Sequence, residues 1–197
     1  MKKGFTLLEL LIVIGILAIL STTMILVINP AELLKKARDS QRISDLSTVK
    51  TAVAYYLTNA STIAIGSTSA TNSHVATIVC PGGWTTASAT TTQTVDGLGW
   101  IPINFAGLTG GSPIGGLPID PNPTTLTANP SRYYVYIASA TTTNGFSLLA
   151  NLESTYYSSG TTNAESTDGG KMATVYEVGT TFDVATTSAN CLPNPGY

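Results

Sequence analysis

The apolar positions of this chain change period twice. From Phe5 to Ile28 they run almost unbroken, twenty-four residues in which Glu9 is the one ionisable side chain. A helix of that length rises about 36 Å at ~1.5 Å per residue, enough to cross the hydrocarbon core of a bilayer. Further on the apolar residues thin to a stripe: Ile43, Leu46, Val49, Val53 and Leu57 recur at three- and four-residue steps, while Lys35, Lys36, Arg38, Asp39 and Arg42 occupy other faces. That pattern predicts an amphipathic helix continuing to about Thr58, with its charges on a largely solvated face. Between the two helical stretches, Asn29-Pro30-Ala31-Glu32 reads as a kink with a fresh N-terminus: Asn29 as cap, Pro30 at the first helical position, Glu32 at capping-box spacing. Glu32 with Lys36, Lys35 with Asp39 and Arg42 with Asp45 stand at helical neighbour spacing, each pair adding a few tenths of a kcal/mol.

After Asn59 the helical period dissolves. Ala60 to Thr94 reads as a long loop region with room for a helical turn or short strand, and Thr85–Thr94 and Thr141–Asn144 as surface loops. The prolines of Trp100–Phe105 and Leu117–Pro123 predict extended, turn-rich chain. Segments rich in aromatic and branched residues then appear at Tyr133–Ser139 and Phe146–Leu152, joined by a hairpin-like Ala140–Gly145, with a third at Thr174–Val178. Three such strands predict an antiparallel sheet with one face on the helix, an α+β head. Tyr133, Tyr134 and Tyr136 are expected half-buried on that sheet, hydroxyls at its edge.

Composition narrows the functional classes. Residues 1–50 hold seven Lys and Arg against four Asp and Glu, and the remaining residues two against seven. Basic clusters are thus confined to the helical region, and nucleic acid is not an expected partner. Ser and Thr supply fifty of the 197 residues, a hydroxyl-rich surface suited to an exported protein. Cys80 and Cys191, the two cysteines, lack metal-ligand or redox spacing. In an exported head they can close a disulfide worth ~4 kcal/mol on the chain-entropy model, or stand as buried thiols. His74, the single histidine, has no nucleophile arrangement around it, and neither a phosphate loop nor zinc spacing occurs, so an enzyme is not expected. Asn59-Ala60-Ser61 matches a glycosylation acceptor by pattern alone.

Glu9 is the costly residue. An acid at mid-helix in a membrane costs about 2.5–3.5 kcal/mol, less near an end. Either it lies in the first turn, where the helix dipole and nearby water help, or it awaits a cationic partner. A secretory signal would place its cleavage site after the apolar core, yet here the processing candidate Lys3-Gly4-Phe5 precedes it.

Lys2-Lys3-Gly4-Phe5-Thr6-Leu7-Leu8-Glu9-Leu10, followed by Leu11-Ile12-Val13-Ile14, resembles the class III signal of type IV pilins and type II secretion pseudopilins. The resemblance implies that a prepilin peptidase cuts between Gly4 and Phe5 and methylates the new Phe5 amine. It also implies that Glu9 offsets the Phe5 amine of a neighbouring subunit during assembly on an inner-membrane platform. The chain then divides into leader 1–4, membrane and filament-core helix 5–28, amphipathic helix 29–59 and head 60–197. Four cations follow the span (Lys35, Lys36, Arg38 and Arg42), so charge counting does not orient it. The resemblance implies a cytoplasmic leader, a single-pass precursor in the cytoplasmic membrane and an extracellular or periplasmic filament. Leu117-Pro118-Ile119-Asp120-Pro121 before the Tyr-rich strand is also similar to pseudopilins, which carry calcium among such loops. Asp120 and Asp168 are the candidate calcium ligands, although no EF-hand spacing exists and Asp168-Gly169-Gly170 also reads as a plain turn; no other cofactor is expected. Two functions fit: a structural filament subunit, or a membrane-anchored or filament-tip subunit acting as an adhesin.

Overall fold

A computed structural model of the chain describes residues 4–66, 70–73, 85–89, 92–123, 132–139, 144–159 and 162–181. Helix α1 spans Leu7–Ile28 and α2 spans Pro30–Asn59. Asn29 separates them in the left-handed conformation, φ 43° and ψ 77°, with Pro30 opening α2. The expected capping box at this junction does not form. An N-cap side chain reaches the first turn from extended backbone, and left-handed Asn29 makes no side-chain cap bond. Glu32 turns instead to the head, accepting from Thr155 N and Oγ1 at 2.5 and 2.8 Å.

The head forms a five-stranded sheet of order β2-β1-β3-β4-β5, with β1 at Ala70–Ser73, β2 at Thr85–Ala89, β3 at Val135–Ala138, β4 at Phe146–Ala150 and β5 at Tyr176–Gly179. The antiparallel trio β3, β4 and β5 is the one the aromatic and branched segments predict, with Val135 opposite Leu149 and Ala150 opposite Tyr176. β1 adds antiparallel to β3, and β2 adds parallel to β1. β1 is the short strand that the reading of residues 60–94 allowed, and β2 corrects the surface-loop reading of Thr85–Thr94. ATNS and TTASA carry no apolar alternation, so their extended state comes from pairing and not from patterning.

The core lies between α2 and the sheet. Leu46, Val49, Ala52, Val53 and Tyr56 meet Tyr134, Tyr136, Phe146 and Leu148 from the strands. The proline-punctuated stretch before the sheet contributes Trp100, Ile101, Ile103, Phe105 and Leu117 to the same cluster, and Trp100 Nε1 donates to Pro118 O at 2.9 Å. Tyr133, Tyr134 and Tyr136 are fully buried, deeper than expected. Burial is tolerated because Tyr134 Oη donates to Asp45 Oδ2 and Tyr136 Oη to Ile65 O, both at 2.8 Å. Single-turn helices α3, Thr155–Ser158, and α4, Ala164–Thr167, occupy the link from β4 to β5.

Candidate functional site

Two regions gather the chemistry: the N-terminal tip and the joint between α2 and the head. At the tip, Gly4–Thr6 is non-helical and Thr6 caps α1 from extended backbone, φ −83° and ψ 151°. Glu9 N donates to Thr6 Oγ1 at 3.2 Å, while Thr6 N and Oγ1 donate to Glu9 Oε2 at 2.9 and 2.8 Å. This capping box places Glu9 in the first turn of α1, facing the dipole's positive end. The Thr-x-x-Glu spacing was the sequence signal for it. The cap fills hydrogen-bonding capacity without supplying a cation. From Gly4 to Met24 every residue is exposed, Phe5 at 83%. Leu7–Met24 averages a hydropathy of 2.4, making α1 long and apolar enough to cross a membrane. A helix apolar all round needs lipid or like helices around it.

The joint centres on Arg42. Its guanidinium, fully buried, donates from Nε and Nη2 to Asp120 at 2.7 Å each, from Nη1 to Asp39 Oδ1 at 2.7 Å, and from Nη2 to Glu153 Oε1 at 2.6 Å. Asp39 accepts in turn from Glu153 N, Ser154 N and Ser154 Oγ at 2.6–3.0 Å, so the chain leaving β4 is tied to α2. Arg38 forks onto Glu153 at 3.0 and 2.8 Å, and Arg132 approaches the same carboxylate at 3.4 Å. Burial works against the charge of Arg42, but Asp120 and Glu153 hold it charged and raise its pKa. Burial also pushes Glu153 upward, yet the hydrogen bonds of Arg38 and Arg42 and the charge of Arg42 outweigh it and leave the carboxyl below its usual range.

This joint corrects the solvated-face reading of α2, since Asp39 and Arg42 are buried. The helical pairs that form are also different ones. Lys35 meets Glu32 at 3.5 Å and Arg42 meets Asp39, while Lys36 lies 3.5 Å from the ring centroid of Tyr156. Asp45 serves Tyr134.

Asp120 and Asp168, the calcium candidates, each engage both carboxylate oxygens with other groups. Calcium takes six to eight oxygens, but both Asp120 oxygens face Arg42, and Oδ1 also accepts from Asn122 N at 2.8 Å. A cation there would meet a guanidinium. Asp168 uses Oδ1 on Gly170 N and Oδ2 on Glu177 N, 2.8 and 2.6 Å, consistent with the turn reading. Among the described residues no group of three or more His, Cys, Asp or Glu is placed to hold a metal ion. Cys80, Cys191 and His74 lie outside the described residues, as does 141–143 of the expected surface loop.

Residues 1–25 match the family model of the prokaryotic N-terminal methylation motif. No curated protein and no solved structure matches the chain. The motif is the class III signal of type IV pilins and pseudopilins, and with the apolar α1 it supports a membrane-anchored, pilin-like prepilin peptidase substrate. It points to a structural subunit and not to an enzyme.

Proposed function

We propose that the chain is a structural subunit of a filament of the type IV pilus or pseudopilus kind. Prepilin peptidase removes residues 1–4 and methylates Phe5, and α1 is retained, first as the anchor in the cytoplasmic membrane and then as the filament core. Identical or related subunits are the partners, added at an inner-membrane platform.

The observation that carries this reading is Glu9. Its hydrogen bonds go to Thr6, a neutral residue, so its negative charge stays uncompensated in an otherwise apolar exposed helix. Cleavage after Gly4 creates a cation four residues away in sequence, on Phe5. A charge-assisted contact to the amine of a neighbour's Phe5 neutralises both groups in low dielectric, where such contacts are strongest. The head then rides on α2 through the Arg42 joint, which fixes its direction relative to the stacked helices.

The test is Glu9→Ala in cells that make the filament. Processing at Gly4, read from gel mobility, should stay largely intact, while the amount of subunit in sheared filaments falls at least about tenfold, the equivalent of losing ~1.4 kcal/mol per contact. Incorporation equal to the unmodified chain would overturn the assembly role of Glu9.

A further inference from the structure

Glu165 is unused by the joint and by the N-terminal tip, yet it is among the most buried acids, 1% exposed at the second position of α4. Its Oε1 accepts from Leu152 N at 3.3 Å, and among the described residues its Oε2 has no hydrogen-bond partner. Leu152 is the residue before Glu153 and Ser154, whose N–H groups are held by Asp39. Three consecutive backbone amides leaving β4 are therefore captured by two carboxylates, Asp39 from α2 and Glu165 from α4.

The charges that shift Glu165 are of one sign. Asp39 reaches it from α2 and Asp168 from the C-terminal end of α4, and both act against its ionisation. Asp39 is already matched by Arg42 at 2.7 Å. The neighbouring α3 (TYYS) offers only the phenols Tyr156 and Tyr157, and β5 (YEVG) offers Tyr176 and Glu177. No cation on these elements bonds Glu165, so a negative charge there is buried, unpaired and beside two others. A proton removes that conflict.

We infer that Glu165 is a proton-operated catch between α4 and the end of β4. Protonated, it lets α4 seat on Leu152 and stiffens the joint by which the head is carried on α2; ionised, it loosens that seat. Burial, then the charges of Asp39 and Asp168, push the Glu165 carboxyl from an ordinary 4.5 up to about 7 against the pull of Leu152 N–H. With the closed-state value raised, the seat is fully stabilised below 4.5, weakens as pH rises towards 7, and is flat above that.

Hydrogen exchange on the full chain in detergent micelles tests this through the Leu152 amide. After correction for intrinsic exchange, its protection should fall about fortyfold from pH 5 to pH 7 and level off once the pH has passed well beyond 7. In Glu165→Gln, which is neutral at every pH, the Leu152 profile should be flat. A flat profile in the unmodified chain, or the same slope in Glu165→Gln, would overturn the inference. If Glu165→Gln fails to fold, carboxyl carbon NMR titration of Glu165 in the unmodified chain decides: a midpoint near 7 upholds the catch, and one at or below 4.5 overturns it.

Discussion

Arg42→Ala is the perturbation the architecture resists most. The guanidinium makes four charge-assisted bonds of 2.6–2.7 Å to Asp39, Asp120 and Glu153, and it is fully buried. Removing one member of a buried pair costs about 3–5 kcal/mol, because the remaining charge is left unpaired in low dielectric. Here three carboxylates lose a shared cation, although Arg38 and Arg132 still reach Glu153 and the backbone amides of 153 and 154 still reach Asp39. The expected loss is therefore at least about 4 kcal/mol, a large part of the ~5–15 kcal/mol that holds a domain together. Urea denaturation suits the measurement because urea does not screen charge, and the fluorescence of buried Trp100 reports on the core. The pH response supplies an independent sign. In the unmodified chain Glu153 sits below its usual range, so its contribution is present above the unfolded value of 4.5 and is lost as pH falls through its folded value. In Arg42→Ala the orphaned acids gain from protonation, so stability rises over the same interval. A loss under about 1 kcal/mol, or the same pH slope in both proteins, would refute the claim that the head is clamped through this ion cluster.

Other outcomes follow from the same geometry. Arg42→Lys should recover less than half of the loss, since a point charge cannot fork onto both Asp120 oxygens while reaching Asp39; the urea midpoint checks it. Gly99→Ala should destabilise by about 1–3 kcal/mol, because a Cβ there runs into the backbone carbonyl of Thr94 and comes within 2.6 Å of Leu117 Cδ1; a thermal midpoint within a degree of the unmodified chain would contradict it. Tyr134→Phe leaves Asp45 without its 2.8 Å donor and should cost about 1–2 kcal/mol, measured by the same denaturation.

Much of the frame was legible because it rests on local periodicity. The unbroken apolar run gives α1, the stripe through Leu46, Val49 and Val53 gives the buried face of α2, and YYVYIAS and FSLLANL give the β3–β4 hairpin. The joint was not legible, for a physical reason. Arg42 finds Asp120 and Glu153 at separations of 78 and 111 residues, and nothing in the charge spacing of α2 distinguishes an ion that will be buried from one left in water. Tyr134 and Tyr136 were placed on the right sheet but too near its surface, since the acceptors that admit their hydroxyls, Asp45 and Ile65 O, are also remote in sequence. β1 and β2 lacked any alternating signal, and β5 begins at Tyr176 where the apolar segment had suggested Thr174. At the tip the reverse held: Gly4, Phe5, Thr6 and Glu9 are contiguous, so the cap and the processing motif are both written locally.

The central claim is that this chain is cut at Gly4 and built into filaments through the end so exposed. Intact-mass and N-terminal peptide analysis of the chain recovered from sheared surface filaments tests it most directly. The expected result is an abundant subunit whose first residue is N-methylated Phe5. Filaments free of the chain, or a chain that still begins at Met1 or has lost its apolar helix, would contradict it.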